Sequence, residues 1–279
     1  MVRRRGAGTL RSIKPRNRLL VVLRGLALAL VIGAVVALSA GWGSDASSPE
    51  PSHPATAPAP TPAATSPAAA VDPSLTPPPG TTLTATTHGS IPGSPAPGAP
   101  SNMIVPGSFY GYPSILPVIA VQTGWLEVRL AQRPNGSTTW VQQSDVTLGN
   151  TPYSISISLT TLHLTVYQDG TEILNFPAGI GAPSDPTPPG QYFVFATVPP
   201  PSAAYGPFVL ATSDHSDTIA DWENSGDALI GIHGPITSYD DSLIGNTGAA
   251  ISHGCVRLHD ADLAQLSMIP PGTPIDIVS

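Results

Sequence analysis

The chain has 279 residues, a formal net charge of −7, 10% charged residues and one cysteine, Cys255. A lone cysteine excludes an intrachain disulfide framework and a paired-cysteine zinc site. Beyond Arg24 the basic residues are Arg129, Arg133 and Arg257, set against eighteen acids, so nucleic acid is excluded as a partner.

The N-terminal segment carries the rest of the positive charge. Arg3, Arg4, Arg5, Arg11, Lys14, Arg16, Arg18 and Arg24 precede an apolar run from Gly25 to Ala40. A basic flank followed by an apolar run predicts a signal anchor over residues 1–43, with a cytoplasmic tail and the remainder of the chain outside. Small residues near Ser39 and Ala46 leave cleavage open as the alternative, and no cysteine follows the run to carry a lipid. Residues 44–100 are rich in Pro, Ala, Ser and Thr and poor in large apolar residues, which predicts a disordered linker. In an extended polyproline form at ~3.1 Å per residue it reaches on the order of 170 Å.

Residues 101–148 predict a small β module. Leu126–Leu130 alternates with period two, Asn135-Gly136 is a hairpin signal, and Thr138–Val141 is the return strand. The module is too small for a secure core of its own, so docking on the following domain is its expected role.

Residues 149–279 form the main domain. Strands are predicted over Ser154–Leu159, Leu162–Tyr167, Thr171–Phe176, Gln191–Val198, Phe208–Ala211, Ala228–Ile232 and Ile275–Val278, with Asp169-Gly170 as a hairpin turn. One short helix is expected over Ala261–Leu266, with Asp260 as its cap. The fold class is all-β, a sandwich with a short helix, preceded by the β module, the linker and the membrane segment.

The chemistry concentrates in Ser252-His253-Gly254-Cys255-Val256-Arg257-Leu258. In an extended chain His253, Cys255 and Arg257 share one face, an electropositive setting that lowers a thiol pKa and favours nucleophilic attack. Gly254 permits close backbone approach, and the N–H groups of Gly254 and Cys255 are the candidate oxyanion donors. A thiolate needs a base. His233, at the end of an apolar strand in Ile232-His233-Gly234-Pro235, is the best placed, with the loop from Gly234 to Ile251 as a wall of a substrate groove. His163 and His215 are less well placed, and the direction of His259 is not legible. Neither an HExxH helix nor a CxxC pair is present, so no metal or other cofactor is predicted.

Ile232-His233-Gly234 with Ser252–Leu258 resembles the signature of the L,D-transpeptidase catalytic (YkuD) domain, in the form of a membrane-anchored actinobacterial-type member. Gly179-Ile180-Gly181, Thr187-Pro188-Pro189-Gly190 and the closing Pro271–Ile277 resemble it too, so the likeness runs from about Tyr153 to Val278. The resemblance implies a β-sandwich enzyme acting on peptidoglycan stem peptides on the cell-wall side of the membrane. Cys255 is then the nucleophile that releases D-alanine, His233 its base, and the Gly234 carbonyl the orienter of that base. Ser252, His253 and Gly254 shape the site, and Arg257 binds a substrate carboxylate. Acylation by carbapenems is also implied. The chain departs from the family at Pro235, where many members carry threonine, and at His259-Asp260, near which many carry asparagine. The alternatives are an L,D-carboxypeptidase trimming tetrapeptide stems and a non-catalytic wall-binding protein.

Overall fold

The computed structural model describes residues 75–246 and 248–279. The predicted membrane anchor and most of the predicted linker lie outside the described residues. The first sheet has five strands: β1 (Thr82–Thr87), β2 (Ile115–Gln122), β3 (Trp125–Arg129), β4 (Thr138–Gln142) and β5 (Val146–Thr151), in the order β4-β3-β2-β1-β5. The module therefore begins before residue 101. β1 pairs antiparallel with both β2 and β5, so residues assigned to the linker are central to the sheet. Thr82-Leu83-Thr84-Ala85-Thr86-Thr87 has the small, polar composition of a linker. Its β-branched threonines nonetheless suit a pleated surface, and Ala85, Thr84 and Thr87 are buried in the sheet. Asn135-Gly136 also differs from expectation. β3 and β4 pair through Arg129 and Thr138, and the loop between them is longer than a two-residue hairpin.

The second sheet has eight strands. In chain order its members and one two-stranded ribbon are β6 (Tyr153–Ser158), β7 (His163–Gln168), β8 (Thr171–Pro177), β9 (Ile180–Gly181), β10 (Gly190–Val198), β11 (Val209–His215), β12 (Leu229–His233), β13 (Ala250–Ser252), β14 (Val256–Arg257) and β15 (Pro274–Val278). The sheet order is β8-β7-β6-β15-β10-β11-β12-β14, and β9 pairs with β13. Asp169 and Gly170 have φ of 51° and 77°, the left-handed pair that a tight hairpin between β7 and β8 requires.

β10 ties the molecule together. Gly190–Phe193 pairs with β15, Val194–Val198 pairs with β11, and the register shifts between Val194 and Ala196. Alternate side chains enter two cores. Tyr192 and Val194 join Ile155, Leu164, Ile232 and Leu258 inside the second sheet. Phe193 and Phe195 join Leu116, Leu126 and Val128 of the first sheet. The small module thus shares its core with the back of the main sheet, which accounts for how so few residues hold a fold.

Among the described residues, two short α-helices accompany the sheet. The helix α2 (Asp260–Gln265) starts one residue earlier than expected. His259, not Asp260, occupies the cap position, and no side chain caps it. The helix α1 (Ser238–Leu243) lies in the stretch read as loop. Thr237 Oγ1 accepts the Asp240 N–H at 3.1 Å and donates to the Asp240 carboxylate at 2.9 Å, so a side-chain cap starts a helix that has no apolar periodicity.

Candidate active site

β12 and β14 run parallel, with Ile232 opposite Val256 and His233 opposite Arg257. This pairing sets the cysteine motif beside the histidine strand. The buried apolar side chains of Ile232, Val256 and Leu258 enter the core, which fixes both strands in register. Gly231 and His233, two residues apart on β12, face the same side. The Gly231 N–H donates to Cys255 Sγ at 3.4 Å. His233, Cys255, Arg257, Tyr205, His253 and Trp222 line one cavity of about 230 Å3.

His233 is 3% exposed. Its Nδ1 lies 2.6 Å from the Gly234 carbonyl oxygen, which only accepts, so Nδ1 carries the proton and Nε2 keeps its lone pair. The Tyr205 ring packs on the imidazole at 4.7 Å between centroids, and the Tyr205 carbonyl accepts the Gly234 N–H at 2.8 Å. Burial is the main influence on the imidazole and pushes its pKa down to about 4, against the opposing pull of the Gly234 hydrogen bond. Gly234 sits in a tight space, where a Cβ would meet the Asp260 carboxylate and press on the Gly206 backbone at 3.0 Å.

The cysteine stands on a turn, not on a continuous strand. β13 ends at Ser252, β14 starts at Val256, and Gly254 has φ of +113°. The alternation expected of an extended chain is therefore broken at Gly254. His253, Cys255 and Arg257 still converge on the cavity, but the turn brings them there. Ser252 and Thr187 brace the turn. Ser252 Oγ accepts the Gly254 N–H at 3.1 Å and donates to the Cys255 carbonyl at 2.5 Å. Thr187 Oγ1 accepts the Gly181 N–H at 2.9 Å and donates to the Gly254 carbonyl at 2.7 Å. A Cβ on Gly254 meets Ile230 Cδ1 at 2.5 Å.

These contacts alter two expectations. The Gly254 N–H is engaged by Ser252, which leaves the Cys255 N–H as the donor of that pair without a partner among the described residues. The thiol is half-buried, and burial raises its pKa. The Gly231 hydrogen bond and the Arg257 charge pull it down but do not win. His253 does not supply the electropositive face foreseen for it. It is exposed, with its ring 5.2 Å from that of Trp222. The resting site holds a neutral thiol and a neutral imidazole in one cavity, an arrangement suited to proton removal during attack and not to a standing ion pair.

Arg257 is 8% exposed and its Nη1 meets Asp240 Oδ2 of α1 at 3.0 Å. Its Nε is buried and has no hydrogen-bond partner. The helix that carries Asp240 is held a second time by Asp241, whose Oδ1 lies 2.7 Å from His259 Nδ1. Among the described residues no cluster of His, Cys, Asp and Glu has the makings of a metal site. The sequence reading missed Thr187, Tyr205, Gly231, Trp222 and Asp240. Thr187 stood in a motif already singled out; the others carry no local signal and are brought in by strand pairing and loop packing.

The family model of the L,D-transpeptidase catalytic domain matches residues 152–277. The YkuD protein of Bacillus licheniformis is 29% identical over 127 residues, which is 45% of this chain and 66% of that protein. The YkuD protein of Bacillus subtilis is 28% identical over 127 residues, with the same coverage. The chain thus spans just under two thirds of the length of these relatives. An L,D-transpeptidase structure from Mycobacterium smegmatis aligns over 56% of this chain and 91% of that one, at 16% identity and a TM-score of 0.36.

Proposed function

With residues 152–277 an L,D-transpeptidase catalytic domain, we propose that this chain crosslinks peptidoglycan stem peptides through an acyl-enzyme on Cys255. The observation that carries this reading is the shared cavity, in which a tautomer-fixed, neutral His233 accompanies the single cysteine. Cys255 Sγ attacks the carbonyl that joins the third residue of a tetrapeptide stem to its terminal D-alanine. His233 Nε2 takes the thiol proton as the S–C bond forms. The Cys255 N–H faces the developing oxyanion. His233 then returns the proton to the departing nitrogen, the C–N bond breaks, and D-alanine leaves. An amine on a neighbouring stem attacks the thioester, the new amide forms, and the thiol is restored.

Arg257 is the carboxylate-binding group of this scheme. Arg257 lines the cavity, and Asp240 holds one end of its guanidinium in place, which sets a cationic group against the bound stem. Ser252 and Gly254 shape the nucleophile turn, Gly234 orients the base, and His253 forms the rim with Trp222. Carbapenems acylate the same thiol. The basic flank and apolar run in residues 1–43 support a membrane anchor with the catalytic domain on the wall side.

The test is product analysis of the full-length chain with a purified disaccharide-tetrapeptide. A crosslinked dimer and free D-alanine are expected from the wild type. Neither should form with Cys255→Ala, and much less of each with His233→Ala. Tripeptide without dimer would make the protein a carboxypeptidase. Unchanged substrate, with Cys255 still open to alkylation, would make it a wall-binding protein.

A further inference from the structure

The loop joining β11 to β12, residues 216–228, is a wall of the catalytic cavity: Ser216, Ile219, Trp222 and Ala228 all line it. Trp222 reaches the rim and packs on His253, two residues before the nucleophile. Yet this loop has few apolar anchors of its own. Its internal bonds, such as Trp222 N–H to the Asp227 carbonyl at 2.9 Å, fold it locally without tying it to the sheet. Glu223 and Asn224 have positive φ values of 53° and 64°.

One tie comes from the main domain, where Thr218 Oγ1 donates to Asp185 Oδ1 at 3.1 Å; the other side-chain hydrogen bonds that reach the loop come from the N-terminal module. Arg133 spreads its guanidinium over three parts of the loop. Nη1 donates to the Ser216 carbonyl at 2.9 Å, Nη2 to the Ile219 carbonyl at 3.1 Å, and Nε to Asp227 Oδ1 at 2.9 Å. Asn135 holds the end of β11: its Nδ2 donates to the His215 carbonyl at 2.7 Å, and its Oδ1 accepts the His215 N–H at 2.9 Å. The Tyr110 hydroxyl donates to Asp227 Oδ2 at 2.6 Å and lies 3.2 Å from His215 Nε2. Two of these three residues come from the loop between β3 and β4, and Arg133 is one of three basic residues after Arg24. A planar fork can serve three acceptors at once, and an ammonium group in its place cannot span them.

We propose that the N-terminal module is a positioning element of the catalytic centre, in which Arg133, Asn135 and Tyr110 hold the 216–228 loop in place as a wall of the substrate cavity. The proposal rests on that cavity being the substrate site. Arg133, Asn135 and Tyr110 act through Trp222 and Ile219, and so govern how well a stem peptide is held, not the reactivity of the thiol itself.

The full-length chain carrying Arg133→Ala, Arg133→Lys or Tyr110→Phe tests this. Trp222 emission is isolated by subtracting the matching Trp222→Phe protein. Acrylamide quenching of Trp222 should rise about twofold in Arg133→Ala and Arg133→Lys, and less in Tyr110→Phe. The KM for disaccharide-tetrapeptide should rise about tenfold in the two Arg133 variants, with kcat within about threefold of wild type. Alkylation of Cys255 by iodoacetamide should stay within about twofold. Wild-type quenching and KM in both Arg133→Ala and Tyr110→Phe would overturn the proposal. So would a fall in alkylation equal to the fall in turnover, because that marks collapse of the whole site. If the wild type itself leaves the tetrapeptide unchanged, the transpeptidase reading fails; quenching then decides the clamp alone, sustaining it if raised and overturning it if unaltered.

Discussion

Replacing Thr187 with valine removes one hydroxyl and keeps the shape. Thr187 is 2% exposed, and its Oγ1 bonds both the Gly181 N–H and the Gly254 carbonyl. Valine leaves one buried donor and one buried acceptor without partners, at about 1–3 kcal/mol each. A total of about 3 kcal/mol allows for partial relaxation, and for a domain of this size it lowers the unfolding midpoint by about 6–12 °C. Thr187→Ser keeps the hydroxyl and loses one methyl group, worth about 0.8 kcal/mol. Calorimetry at neutral pH measures both. The valine protein should also alkylate Cys255 at an altered rate, because the Gly254 carbonyl anchors the nucleophile turn. A valine protein within about 0.5 kcal/mol of wild type, or a serine protein as unstable as the valine one, would refute the bracing role assigned to this hydroxyl.

Three pH-dependent outcomes follow from the buried groups. Cys255, the only cysteine, should alkylate with a midpoint above the ~8.5 of a free thiol, since burial raises its pKa; a midpoint below about 7 would mean a standing thiolate. His233 acts in its neutral form, and burial holds its pKa near about 4. The acid limb of kcat/KM should therefore fall as pH drops through about 4, and a limb at 6–7 would contradict the buried setting. Asp214 is 1% exposed, and burial first, then the charge of Asp217, pushes its carboxyl up to about 8. A carboxyl raised in the folded state binds its proton more tightly there than in the unfolded chain. Its contribution to stability is full below about pH 4 and is lost as pH rises through about 8. Asp214→Asn should match wild type at pH 4 and exceed it by roughly 3–5 kcal/mol at pH 8.5; an unchanged pH dependence of denaturant unfolding would exclude Asp214 as the source.

The strands of the main domain were legible because period-two alternation survives wherever one face meets a core, as in Ser154–Leu159 and Leu162–Tyr167. Cys255 and His233 stood out as candidates because nucleophile and base must be special residue types and the chain offers a single cysteine; the structure lines one cavity with both. β1 was not legible, because threonine and alanine serve linkers and strands equally well until a partner strand is present. α1 was hidden for a related reason: a side-chain cap starts it, and no apolar stripe marks it. The thiol pKa was misjudged from its neighbours in sequence. His253 points to the rim, so the desolvation seen only in three dimensions outweighs Arg257. Arg133 read as part of a turn because its three acceptors lie more than eighty residues away.

The most direct test of the account is the intact mass of the full-length protein after brief incubation with disaccharide-tetrapeptide. A gain equal to the substrate less D-alanine, mapped to the peptide containing Cys255 and absent from Cys255→Ala, is the predicted result. Product formation with no such adduct under acid quench, or an adduct that persists in Cys255→Ala, would contradict a thioester on this residue.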